Sequence, residues 1–142
     1  MKFQNLLLGI FLVLVSCATS NYDYFKLSKL EKKNYQLDLN SINYRLGNTI
    51  LDKNNVSDLK IDRKKKIVFV KNKSELKFIN LKKIADSTQN KNVNLAVIYG
   101  LPFAKGDFGK IIIEKSAIDS IKIAKIPLSD IGSEALVIKI KE

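Results

Sequence analysis

Residues 94–115 read NLAVIYGLPFAKGDFGKIIIEK, and this stretch carries the fold. Residues 94–100, NLAVIYG, form an apolar run of strand length stopped by Gly100. Residues 101–109 hold Pro102, Gly106 and Gly109, which places them in a loop. Residues 110–115, KIIIEK, then resume as a strand. A strand, a glycine-bearing loop and a second strand imply a sheet. Leu101, Phe103 and Phe108 fall in the loop, as exposed apolar anchors for a partner or as a lid folded back on the core.

Moving outward, residues 120–126 alternate at Ile121 and Ile123 before losing phase, and Pro127 breaks the segment. Leu136, Ile138 and Ile140 alternate with Val137, Lys139 and Lys141 in a terminal strand. Upstream, residues 74–86 suit a helix capped by Ser74, although the alternation of Leu76, Phe78 and Asn80 keeps a strand open. Residues 66–71, KIVFVK, predict a buried central strand. Residues 54–59 form a short helical or turn segment. Residues 41–51 make a strand or hairpin, with Gly47-Asn48 as the turn. The fold class is α+β, a small sheet of five or six strands with one or two helices, and no strict repeat is visible.

Residues 18–39 are polar, with Tyr22, Tyr24 and Phe25 interspersed, and part of the piece from about 24 to 34 suits a short helix. They read as a spacer ahead of a domain over residues 40–142, or as an extra element packed on that domain. Before them, Lys2 is followed by LLLGIFLVLV at residues 6–15 and then by Ser16-Cys17. An apolar run of this length is too short to span a bilayer as a helix, which needs about 20 residues, but it has the size of a signal-peptide core. Leu14-Val15-Ser16-Cys17 resembles a bacterial lipobox. The resemblance implies that residues 1–16 are removed and that Cys17, the only cysteine, carries the lipid, making residues 17–39 a lipidated tether. Two or three acyl chains would then hold the protein at a membrane with negligible release. Ala18, in place of the aspartate that retains such proteins at the inner membrane, implies the outer membrane. With one cysteine, the fold contains no disulfide of its own.

The segment 94–115, with Ile98-Tyr99-Gly100, a glycine-bearing loop and Gly109 before Ile111-Ile112-Ile113, resembles the plug domain of TonB-dependent outer-membrane receptors. Upstream, YRLGNTIL, VSDLKI and KIVFVK are similar to that domain's opening strand, short helical segment and second strand, so the resemblance runs over about residues 42–115. It implies a plug-like α+β fold on a lipid anchor. It does not extend to a gating role, because no barrel follows.

The chain has no histidine, which removes Ser-His-Asp, Cys-His and histidine-metal schemes together. The thiol is committed to lipid, so no metal or cofactor is expected. Ser57-x-x-Lys60 and Ser74-x-x-Lys77 match the first element of Ser-Lys hydrolases, and Asp107 and Glu114 offer a loose carboxylate pair. Neither comes with the rest of an active site, so a small carboxylate hydrolase ranks last. Net charge is +11, one unit less without Lys2, carried almost wholly by Lys. Nucleic-acid readers favour Arg, so no nucleic-acid partner is expected. Arg63-Lys64-Lys65-Lys66 is the densest basic run, a candidate site for envelope glycans or other polyanions. The leading expectation is a non-enzymatic binding module that docks onto an outer-membrane protein or complex through a sheet edge or through Leu101, Phe103 and Phe108.

Overall fold

The structure, a computed structural model, describes residues 21–90, 92–125 and 134–142. The apolar run at residues 6–15, Cys17 and Pro127 lie outside the described residues.

Helix α1 (Tyr24–Glu31) begins at Asp23, whose carboxylate accepts from Lys26 N at 3.1 Å and so satisfies a first-turn N–H. Strands β1 (Gln36–Leu39) and β2 (Ile42–Tyr44) form a hairpin over Asn40-Ser41, with φ of 53° and 68°. Two consecutive positive φ values give a turn whose twist matches that of its strands. A single 3-10 turn at Leu46–Asn48 leads into β3 (Thr49–Ile50). The hairpin β4 (Val56–Asp62) and β5 (Ile67–Asn72) follows, and β5 returns parallel to β1. The sheet order is β2-β1-β5-β4, and KIVFVK is the expected central strand.

The second half uses the same connectivity. After β6 (Phe78–Asn80) comes α2 (Leu81–Ser87), capped by Asn80, which accepts from Lys82 N at 2.8 Å. Strands β7 (Val93–Ile98) and β8 (Leu101–Ala104) form a hairpin over Tyr99-Gly100, again with both φ positive, at 53° and 74°. A 3-10 turn at Lys105–Asp107, β9 (Ile112–Glu114) and the hairpin β10 (Ile118–Lys125) and β11 (Glu134–Ile140) follow. Strand β11 returns parallel to β7, giving the order β10-β11-β7-β8. Helix, hairpin, 3-10 turn, short strand and returning hairpin therefore occur twice. The halves meet in a third sheet, β3-β9-β6, in which β3 pairs parallel with β9 through Thr49–Ile112 and Ile50–Ile113.

Each half has its own core. Leu27 of α1 packs with Leu37, Leu39, Leu59, Val68 and Val70 of the first sheet. Leu81 and Ile84 of α2 pack with Ala96, Ile98, Leu136 and Ile138 of the second. The successive residues Ile50 and Leu51 are each 0% exposed and enter different cores. Tyr24 crosses the boundary, leaving the first half's helix to join the second core.

The structure corrects several expectations while keeping the α+β class. The described residues form eleven strands in three sheets, not five or six in one. The excess consists of strands of two to four residues, too short to show a period. The first hairpin turns at Asn40-Ser41, not at Gly47-Asn48, which sit in the 3-10 turn. Residues 54 and 55 are turn, as one of the two readings had it, but residues 56–59 are strand, and residues 101–104 are strand, not loop. The helix expected over 74–86 starts only at Leu81, capped by Asn80 and not by Ser74. The expected spacer is part of the packed domain from Tyr22 onward, since Tyr24 and Leu27 are buried and Leu37 and Leu39 are core residues of β1.

Candidate functional site

Where the chain enters the domain, three aromatic rings gather. Tyr24 stacks on Tyr99 with centroids 5.3 Å apart and planes at 17°, and Phe25 tilts against Tyr99 at 5.6 Å. Tyr99 reaches this position from the hairpin turn at φ 53°, a conformation that costs a bulky residue about 1–2 kcal/mol. Its ring is therefore held at the cleft by the turn and the stack together. The Tyr24 hydroxyl donates to Gly47 O at 2.8 Å, and burial pushes its pKa up to about 12. Burial also raises Tyr22, whose hydroxyl accepts from Leu51 N at 3.1 Å, and Tyr99. All three phenols are neutral at ordinary pH. The rings border an open cleft of about 770 Å³, with Phe25 and Ile61 as its exposed apolar rim and Lys26, Lys53 and Lys141 as its cations.

The three loop residues singled out in the sequence separate. Phe108 is 2% exposed and belongs to the second core, so it is not a free anchor. Its carbonyl accepts from Lys82 N at 3.2 Å, which ties the turn to α2. Phe103 is half-buried on the same core, and only Leu101, 36% exposed, remains open. Leu101 and Phe103 lie on β8, an edge strand that carries Pro102 and so lacks one N–H for pairing.

The opposite edge of that sheet is β10, eight residues long and without proline. Ile121 and Ile123 are 43% and 39% exposed there, alternating with Ser120, Lys122 and Ala124. The edges of the first sheet differ. Strand β2 has three residues, and β4 exposes one large apolar side chain, Ile61, among Asp58, Lys60 and Asp62, with Lys60 3.7 Å from Asp58, whereas β10 exposes two beside Asp119, Lys122 and Lys125. Charge and shortness blunt an edge, whereas a long edge with apolar side chains is a pairing surface. The sequence showed the Ile121–Ile123 alternation. The missing information was that their strand has only one neighbour among the described residues.

Arg63, Lys64, Lys65 and Lys66 form the tip of the β4–β5 hairpin, all exposed. Asp62 Oδ1 accepts from both Lys64 N and Lys65 N at 2.9 Å, and Lys66 has φ 55°. The four cations thus share one tight turn.

The residues considered for catalysis do not converge. Asp107 is exposed and paired to Lys110 at 2.8 Å, while Glu114 is buried at 2% and accepts from Asp52 N, Asn55 Nδ2 and Ser116 Oγ. Ser74 Oγ donates to Asn55 Oδ1 at 2.8 Å, whereas Lys77 pairs with Glu75. Ser57 and Lys60 lie on a strand, where a spacing of three does not align them as a helix would. Among the described residues there is no cluster of three Asp, Glu, His or Cys side chains that could hold a metal, and no helix is long and apolar enough to cross a membrane. Neither family models, nor curated proteins, nor solved structures yield a match to this chain.

Proposed function

We propose that the chain is a lipid-anchored, non-enzymatic binding module of the bacterial cell envelope, with a plug-like fold, held at the outer membrane through Cys17. It captures an outer-membrane protein by strand addition at the β10 edge. The observation that carries the docking surface is the edge position of β10 with Ile121 and Ile123 exposed, in a sheet whose other edge is interrupted by Pro102. An added strand gains main-chain hydrogen bonds along the edge, and alternate side chains set specificity. The neighbouring Lys122 and Lys125 favour a partner strand with acidic positions.

A photo-cross-linking side chain at Ile123 in intact membranes, read by mass spectrometry, tests this. The expected adduct is one defined outer-membrane protein. It is lost on Ile121→Lys with Ile123 labelled, without a change in melting temperature. Adducts that survive that substitution, or arise equally from Phe69 in the first sheet, would sink the edge assignment.

A second reading is supported by the basic hairpin tip. Arg63–Lys66 presents four exposed cations in one turn, as a polyanion such as an envelope glycan would require. Binding of acidic glycans that weakens as salt rises and disappears on Lys64→Glu/Lys65→Glu supports it; salt-independent binding opposes it.

A further inference from the structure

Helix α1 packs inward through Tyr24 and Leu27, while Glu31 turns to Arg45 and to the backbone N–H of Gly47. Its other face is open among the described residues. Phe25, 44% exposed beyond its contacts with Tyr24 and Tyr99, lies there with Lys26 and with Lys29 at i+4, and Lys32 and Lys33 follow in the turn that closes the helix, all exposed. The acid on this side is Asp23, which caps the helix and pairs with Lys26 at 3.4 Å at the surface. The outward side of the helix and its closing turn therefore combine an apolar ring with four lysines against Asp23, with Lys141 and Glu142 at the adjoining cleft.

Its place in the chain gives the face an occupant. This step rests on the reading of Cys17 as the lipid-bearing residue. Between Cys17 and the helix cap Asp23 there are six peptide steps, at most about 21 Å when fully extended. A domain of about 120 residues is roughly 35 Å across. The leash is shorter than the body it holds, so the face where the chain enters cannot turn away from the bilayer.

We propose that α1 is an interfacial helix. Its outer face rests on anionic phospholipid headgroups, with the Phe25 ring in the headgroup layer and Lys26, Lys29, Lys32 and Lys33 against lipid phosphates. A positive helix face with an aromatic residue beside an acyl anchor is the combination that binds a membrane surface, and the attraction acts within a Debye length. The domain is then held in one orientation and does not tumble on its leash.

The chain has no tryptophan, so Phe25→Trp in the full lipidated protein gives a single reporter. It is reconstituted into phosphatidylcholine vesicles with or without phosphatidylglycerol, and mass spectrometry of the same sample reads the lipid on Cys17. With anionic lipid present, the expected indole emission is blue-shifted, quenched at least twofold by lipids brominated near the headgroup, and shielded from acrylamide. Salt at 1 M, where the screening length is about 3 Å, should reverse at least half of the quenching. Lys29→Glu/Lys32→Glu/Lys33→Glu should do the same at unchanged melting temperature; if that variant does not fold, the salt and lipid arms still decide. A lipidated chain whose indole stays open to acrylamide and unquenched in both vesicles overturns the interfacial helix while leaving the anchor intact. An unmodified Cys17 overturns both.

Discussion

Glu114, the last residue of β9, accepts the side-chain amide of Asn55 at 2.5 Å, joining the second half of the molecule to the loop before β4. The same carboxylate accepts Asp52 N at 2.8 Å and Ser116 Oγ at 3.1 Å. Asn55 Oδ1 in turn accepts Ser74 N and Ser74 Oγ. Glu114→Ala leaves two buried donors unpaired and should cost about 2–4 kcal/mol. Asn55→Ala should cost about 1–3 kcal/mol. The double variant should lose less than the sum, because both substitutions break one network. Glu114→Gln should not rescue, because its amide presents a donor to donors. Urea unfolding of the four proteins checks each step.

Alkaline pH should unfold the domain through its buried phenols. Tyr24 has a folded pKa of about 12 against an ordinary 10, and Tyr22 is shifted in the same direction. A pKa raised on folding means that the neutral phenol contributes stability in full below pH 10. That contribution fades as pH rises toward about 12. Melting temperature should therefore hold up to pH 10 and fall above it, with phenolate absorbance appearing together with unfolding. Tyr24→Phe loses the bond to Gly47 O, costing about 1 kcal/mol at neutral pH, and flattens part of the alkaline fall.

The two equivalent hairpin turns should respond in opposite senses to glycine exchange. Ser41, at φ 68°, occupies a region costly to any residue with a Cβ, so Ser41→Gly should stabilise by up to about 1 kcal/mol. Gly100 sits at φ 74°, and an added Cβ would meet nothing within 4 Å, so Gly100→Ala should destabilise by about 1–2 kcal/mol through the backbone alone. Thermal melts of the two variants are sufficient.

Phe108 and Leu101 should separate core from surface. Phe108→Ala empties a position in the second core and should cost about 3–5 kcal/mol. Leu101→Ser, at an exposed edge position, should change stability by less than about 0.5 kcal/mol. Equal losses in chemical denaturation would contradict this partition.

The central strands were legible because one face is buried and the other half-buried, which leaves continuous apolar runs, as in Ile67-Val68-Phe69-Val70 and Leu95-Ala96-Val97-Ile98. Strands β3, β6 and β9 were not, since two or three residues cannot display an alternation and are strands only through their partners. The start of α2 was displaced because Ser74 and Asn80 both suit a cap. The contact of Lys82 N with Phe108 O, from a distant turn, accompanies the choice of the second. The same long-range packing hid the fate of Phe108, which has the sequence signature of a loop residue between glycines yet is drawn under α2. For the docking surface, the Ile121 and Ile123 pattern was visible, but edge position is a property of strand order. The duplicated connectivity was invisible because the repeated elements differ in length and share no residue pattern, apart from paired turn residues at positive φ.

The seam between two halves of like connectivity shows what each half lacks by itself. A half expressed alone would unpair β3 from β9, and the first half would set Ile50, which packs in the second core, in water. The first half would also lose the socket for Tyr24. Carrying both halves on one polypeptide makes the β3–β9 pairing intramolecular, so it forms independently of protein concentration.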